Sequence, residues 1–436
     1  MASEPELQQQ LTAVEEGVDT SADGTPGWQL TLYVMWIAQL IAMIAFSFVM
    51  PFLPFYLREL GVRGDAQVAF WSGVTVSVTG LAMMVAAPIW GSVADRHGRR
   101  PMVLRAMFGG AAVMALMGLA TSLGQIIVLR LVQGFVTGTV TAATALVSSV
   151  TPRSRMGFSM GLIQTSIFSG FAIGPLLGGI AADRFGYRAA FFITGALLFT
   201  AGLLVVFGTR EHFRRPGPGK QPGRSAMGDV LRTPGFTTML VVALLLNLSG
   251  SVAGPLFPLL VEKIAVARQD VASVTGMMLA ISGLVASVSA VGSGRLCDRI
   301  GRKQVLVACT GTAGLFCLPQ AFVHNLGELF GLRAFLGLSS GGSGPAVNAL
   351  VGTLVPRERY GGAFGLMCSM SCLGGALGPL VGGTIAAHSD VRVPFVITGA
   401  MLILVAGVAF MRVREPHSER PEPRGEARQQ QANHVP

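Results

Sequence analysis

Twelve apolar stretches, each long enough to cross a bilayer, constrain this 436-residue chain more than any other feature. A spanning helix needs about 20 mainly apolar residues. Such stretches occupy approximately residues 30–57, 68–94, 101–121, 124–150, 156–182, 189–208, 236–261, 271–294, 304–323, 328–354, 362–387 and 392–411. A lone strand in lipid would leave its backbone N–H and C=O groups without partners, so helices are required. Composition supports this where it bears on the point: charged residues make up only 12%, against roughly 25% in soluble domains. All 22 carboxylates and 30 of the 32 Lys and Arg lie in tails, short loops or the outermost turn of a stretch. Arg130 and Arg333 are the two that lie deeper.

Basic residues on alternate sides of the stretches number 23 against 7. The positive-inside bias then puts both termini and the central loop in the cytoplasm of a multi-pass inner-membrane protein. It also accounts for the net charge of +10 without a nucleic-acid partner. Residues 1–27 carry six acids and no Lys or Arg, which argues against a cleaved leader. They read as a disordered cytosolic tail, as do residues 413–436. Residues 209–234, rich in Pro, Gly and basic residues, form a cytoplasmic loop between a six-helix bundle at 28–208 and another at 235–412. Five cysteines without metal-type spacing imply neither a metal or cofactor site nor a disulfide framework.

The two halves repeat. Gly91 to Arg100 matches Gly294 to Lys303 at an offset of 203, and Arg130, Gly134 and Gly138 match Arg333, Gly337 and Gly341 at the same offset. Pro51-Phe-Leu-Pro54 finds Pro255-Leu-Phe-Pro258 at 204, Pro152-Arg153 finds Pro356-Arg357, Gly174-Pro-Leu-Leu-Gly-Gly finds Gly378-Pro-Leu-Val-Gly-Gly, and Ile193-Thr-Gly-Ala finds Ile397-Thr-Gly-Ala. Six spans separate the copies, so both halves cross the membrane in the same sense. The fold class is therefore all-α, twelve transmembrane helices in two pseudo-symmetric six-helix bundles, a transporter architecture.

Across about residues 28 to 412 the chain resembles the major facilitator superfamily, most closely its drug:proton antiporter branch of multidrug exporters. Three motifs carry the resemblance: GxxxDRxGRR at Gly91, Asp95, Arg96, Gly98, Arg99 and Arg100, echoed by Asp298, Arg299 and Arg302; RxxQG at Arg130, Gln133 and Gly134; and GxxxGPxxGG at Gly170, Gly174, Pro175, Gly178 and Gly179. The resemblance implies alternating access, proton-coupled export of small molecules and a lipid-embedded monomer. It also implies that Asp95 latches onto the start of the eleventh helix near Gly361 and Gly362, holding the cytoplasmic side shut.

Physical chemistry supplies a reading for each motif. A carboxylate such as Asp95 is stabilised at a helix N-terminus, where the dipole is positive, while plain positive-inside anchoring accounts equally well for the arginines. Gly170, Gly174 and Gly178 share one helix face, where small residues allow backbones to touch in lipid and Pro175 bends the helix. This forms either a flexible seam between the halves or ordinary tight packing. Arg130 sits roughly 9 Å into its helix at 1.5 Å per residue. Intramembrane charges usually face a cavity or partner, so it is the main candidate for coupling or substrate contact, the alternative being snorkelling. Arg333 lies nearer its helix start, with Glu328 five residues earlier, and is expected to snorkel or pair locally.

Gln39, Thr137, Gln164, Asn247 and Asn348 are polar positions at mid-depth, and Phe46, Met50 and Phe168 would supply an adaptable apolar wall. No Asp, Glu or His lies at mid-depth of a stretch, so the residues themselves do not demonstrate the proton coupling that the resemblance implies. No phosphate-binding loop of the ATPase type is present, and no HExxH or paired carboxylates lie within a stretch for an intramembrane enzyme. A symporter or facilitator of the same fold is the rival reading, and a non-transporting sensor a more distant one.

Overall fold

The computed structural model describes residues 27–152, 155–209, 233–265, 270–355 and 360–413. The two tails and the central loop expected from the sequence lie almost wholly outside the described residues. Within them the chain is helical. The first stretch is α1 (Trp28–Phe48) plus α2 (Leu53–Glu59), followed by α3 (Asp65–His97) and α4 (Arg100–Gly118). The fourth is α5 (Leu123–Val136) plus α6 (Thr139–Val150), then α7 (Met156–Phe185) and α8 (Tyr187–Gly208). The second half repeats this plan with α9 (Phe236–Val252), α10 (Phe257–Ile264), α11 (Val271–Ile300), α12 (Arg302–Cys317), α13 (Leu326–Ser340), α14 (Ser343–Leu354), α15 (Tyr360–His388) and α16 (Val393–Arg412). Among the described residues, 11 helical stretches are long and apolar enough to cross a membrane. The α13–α14 pair, rich in Gly and Ser, occupies the remaining expected place.

The sequence reading of continuous spans is corrected at four repeat-related places, the first, fourth, seventh and tenth stretches. Pro54 occupies the first turn of α2, Pro258 that of α10, and a 3₁₀ turn at Gly254–Leu256 precedes the latter. A proline has no N–H to donate and so starts a helix more readily than it continues one. The other two breaks fall at Thr137–Gly138 and at Gly341–Gly342.

Capping also repeats. Ser122 accepts from the Gln125 N–H and Asn325 from the Glu328 N–H, while the Gln125 and Glu328 side chains reach back to the backbone N–H of Thr121 and His324. Each is a variant of the capping box: the cap side chain satisfies an otherwise orphaned helix N–H, and the return bond goes to the N–H of the residue before the cap. α3 runs 33 residues, about 50 Å at 1.5 Å per residue, and ends at Gly98 with φ 96°, as α11 ends at Gly301 with φ 103°. Only glycine adopts such angles without strain, which is why the GxxxDRxGRR sequence places one at this turn.

Within the first half α1 packs on α7 and α8, and α4 on α8; within the second α9 packs on α15 and α16, and α12 on α16. The halves meet where α7 lies along α11 and α3 along α15. At the end away from the termini, the far end, one apolar core joins residues of both halves, including Phe52, Tyr56 and Leu57 with Leu256, Phe257 and Leu260. Toward the end carrying the termini, the tail end, the second half has a separate core around Phe236, Leu306 and Leu350.

Candidate functional site

Glycines fix how the bundles approach one another. Gly170, Gly174 and Gly178 do not line the seam between halves. They press on α1 of their own bundle, where a methyl group would collide with Met43, Ser47 and the Phe48 carbonyl. Of the two readings the sequence allows, tight packing holds for these three, while Pro175 and Gly179 of the same motif do meet the other half. A single small-residue face can serve only one neighbour, and on α7 that neighbour is α1. The seam is formed one residue round the helix: Gly179 against Ala272, the Pro175 carbonyl against Gly276, and Ala172 against Gly283. The second half mirrors it with Gly383 against Ala69, the Pro379 carbonyl against Gly73, and Ala376 against Gly80. Gly374, Gly378 and Gly382 likewise pack on α9 within their own bundle.

Beyond Ala172 and Ala376 no glycine among the described residues meets the other half. Gly161 and Gly365, five turns along the same faces from Gly179 and Gly383, have no atoms within reach of an added methyl group, and Val288 is 74% exposed. The two halves touch from the far end to mid-depth and part toward the tail end.

A cavity of ≈ 690 Å³ lies within the second half, walled by α9 and α11 to α16. Asn247 and Asn348 line it, as expected, with Phe364, Met367 and Leu402 supplying apolar wall. Three lining residues carry buried polar atoms without partners: Arg333 Nε, Gln320 Oε1 and Thr398 Oγ1. Gln320 is fully buried, and its amide nitrogen donates to the Phe316 carbonyl, leaving the oxygen free. None of the described residues lining the cavity is acidic.

Arg333 therefore neither snorkels nor pairs with Glu328, a second correction. Glu328 is spent on its capping box, bonded to Asn325 and the His324 N–H. The Arg333 guanidinium instead stacks 3.6 Å from the centroid of the buried Phe257 ring, a favourable cation–π placement in a desolvated site. Arg130, its repeat counterpart, is buried and donates from Nη1 to Gln133 Oε1 at 3.1 Å, with Nε unpartnered. Gly134 allows α5 to approach the Thr79 carbonyl of α3.

Gln39, Phe46, Met50, Thr137, Gln164 and Phe168 lie outside the lining of this cavity. Thr137 bonds back to the Gln133 carbonyl at the helix break. Gln39 is fully buried with both amide atoms unpartnered, and Phe46 packs against the core. Met50 and Gln164 are exposed. Phe168, also exposed, stands one turn past Ala172 where the bundles part. Gln320 and Thr398 were missed: Gln320 sits near the end of its apolar stretch, and the one signal for Thr398 was its place in the Ile397-Thr-Gly-Ala repeat.

At the tail end, α3 carries Gly91, Asp95 and Arg96. The side chains of Asp95, Arg96 and Asp298, and the surroundings of Gly91, Gly361 and Gly362, lie outside what the structure describes. Arg99 donates to the Ala145 carbonyl at 2.9 Å. Arg100 donates to Thr209 Oγ1 and to the Val206 carbonyl at 2.6 Å, capping the C-terminus of α8, where a cation suits the helix dipole. Arg299 is exposed and Arg302 half-buried.

Two repeated six-helix bundles, packed on each other from the far end to mid-depth, with a polar-lined cavity inside the second, define a secondary transporter of the alternating-access kind. The chain belongs to the Major Facilitator Superfamily, whose sequence model matches residues 35–266 and again 239–433. It is 33% identical over 405 residues to "Multidrug resistance protein MdtG" of Klebsiella pneumoniae, covering 93% of this chain and 98% of that one. It is 35% identical to the protein of the same name from Yersinia enterocolitica, covering 89% and 94%. Among solved structures it is similar in fold to a bacterial homologue of the human lysosomal transporter Spinster in an inward-facing, occupied conformation, with a TM-score of 0.72 at 15% identity, covering 92% and 99%.

Proposed function

We propose that this chain exports amphipathic and hydrophobic small molecules across the inner membrane, driven by the proton gradient. The observation that carries the reading is the cavity. Its wall mixes apolar side chains with unpartnered hydrogen-bonding groups, and the glycine contacts between the bundles stop at mid-depth on the way to the tail end. The positive-inside count supports a cytoplasmic tail end, which makes this the loading state of an exporter. The names of the relatives add the substrate breadth. Both bundles come from one chain, which supports a monomer as the working unit.

In this reading the α7–α11 and α3–α15 seams are the surfaces on which the bundles rock. Asp95 with Arg96, and Asp298 in the second half, form the latch that closes the tail end in the opposite state. Efflux of a fluorescent amphiphile from energised cells lacking their own exporters tests it. Expression should lower dye retention at least threefold, and an uncoupler should abolish the difference. Export that survives the uncoupler would remove the proton drive. Orientation has its own check: cysteines introduced at Gly219 and Gly425 should resist a membrane-impermeant thiol reagent in intact cells, and one at Gln67 should react. Labelling at Gly219 from outside would overturn the topology.

A further inference from the structure

At the far end, where the bundles are closed, Arg58 near the end of α2 meets Glu262 near the end of α10. The guanidinium Nη1 donates to both carboxylate oxygens at 2.6 and 2.7 Å, and the side chains are only 31% and 19% exposed. The two positions are 204 apart, the same offset that relates Pro54 to Pro258. They are one place in the repeat, occupied twice. Two copies of the same ionised residue there would face each other across the pseudo-two-fold axis and repel. This chain puts opposite charges at the paired positions, so the contact cannot be a by-product of the repeat.

A second bridge lies beside it. Asp183, near the end of α7, accepts from the Ser273 N–H in the first turn of α11 at 2.7 Å. α11 has its own acid at the capping position, Asp270, but with φ 63° and no side-chain bond to the helix. The cap is therefore supplied from the other bundle, and a carboxylate there is favoured by both the orphaned N–H groups and the dipole. The repeat counterpart of Asp183 is Ala387, so this contact too is one-sided.

The surrounding charges are tied up elsewhere. Arg58 Nη2 reaches the exposed Asp65 at 2.8 Å, Arg188 pairs with Glu59 at 3.4 Å, and Lys263 pairs with Asp390. The Lys263 hydrogen bond holds the Asp390 carboxyl below its usual range.

We propose that Arg58–Glu262 and Asp183–α11 together form the far-end lock, which holds the closed side shut while the cavity is open at the tail end and must release for the opposite state to form. These are positioning residues, acting on the ratio of the two states rather than on substrate. The inference rests on alternating access and on neither the cargo nor the proton drive.

The test is the distance between spin labels at Gln67 on α3 and Ser389 after α15, in a variant without the five native cysteines. Glu262→Gln and Asp183→Asn, which keep shape and remove charge, should each raise the long-distance fraction at least threefold. Exchanging the charges with Arg58→Glu and Glu262→Arg, in an Asp65→Asn background so that no acids face each other, should bring the distribution back toward the starting one. Unchanged distances in both single variants overturn the lock. So does a charge exchange that leaves the far end as open as Glu262→Gln does. Because the readout is a distance, loss of drug export for any other reason leaves the result intact.

Discussion

Gly178→Ala is expected to destabilise the folded protein, whereas Gly179→Ala, one residue along, should leave its stability near the parent's but stop it cycling. A methyl group at Gly178 overlaps the Phe48 carbonyl of α1 inside the same bundle. Backbone oxygen cannot rotate away, so the helices must separate, and overpacking of this kind costs about 1–3 kcal/mol or more. That is a large share of the stability of a typical domain, about 5–15 kcal/mol. At Gly179 the methyl meets the Ala272 carbonyl of the other bundle. Two bundles that are built to separate can yield there, so the far end is wedged ajar. Detergent melting curves should fall for Gly178→Ala and stay near the parent for Gly179→Ala, with efflux at least tenfold lower in both. Gly161→Ala on the same helix meets open space and should behave like the parent in both measurements. Equal melting temperatures for Gly178→Ala and Gly161→Ala would refute the packing account.

The second large effect is expected at Arg333. Arg333→Ala should lower efflux at low substrate concentration by about 10- to 150-fold, the equivalent of about 1.5–3 kcal/mol for a hydrogen bond to a charged group. Arg333→Lys should retain part of the activity, because a point charge replaces some but not all of a planar fork. No carboxylate among the described lining residues balances this cation, so neutral and anionic amphiphiles should be handled better than cations, and Arg333→Ala should narrow that preference. Folding should survive, since the half-buried guanidinium lines the cavity and its removal leaves no ion-pair partner behind. Arg130→Ala should cost less: its guanidinium already has Gln133 as partner and lies outside the cavity lining. Counterflow measured with paired anionic and cationic dyes decides the matter. If Arg333→Ala transports both as the parent does, the cavity is not the route.

The ranking proposed for these two arginines is the reverse of the one the sequence supports, and the cause lies in Glu328. Five residues from Arg333, Glu328 looks like its salt-bridge partner until helix geometry assigns it to the capping box of α13. The sequence does contain that capping signal, since Asn325 and Glu328 stand three apart as Ser122 and Gln125 do. Gln320 and Thr398 carry weaker signals in the sequence. One lies near the end of an apolar stretch and the other inside a repeat whose first-half copy, Thr194, simply bonds back to Ala190. The glycine faces show the same limit. Spacing of four marks Gly170, Gly174 and Gly178 as a contact surface, but it does not say which helix arrives there.

Read alone, the sequence determines the spans, the repeat and the transporter class, because each depends on local quantities: twenty apolar residues per crossing, charge confined to the ends, and a constant offset of 203 or 204. A bilayer gives backbone groups so few alternatives that these quantities are nearly sufficient. What only the tertiary structure decided is how the helices pair. That includes the assignment of α1 and α11 to neighbouring faces of α7, the end at which the bundles part, the seven-helix cavity around Arg333, and the meeting of Arg58 with Glu262 from positions 204 apart. Those facts depend on which side chains converge from distant helices. Periodicity along one helix fixes the direction in which a residue points, and only packing fixes what it meets.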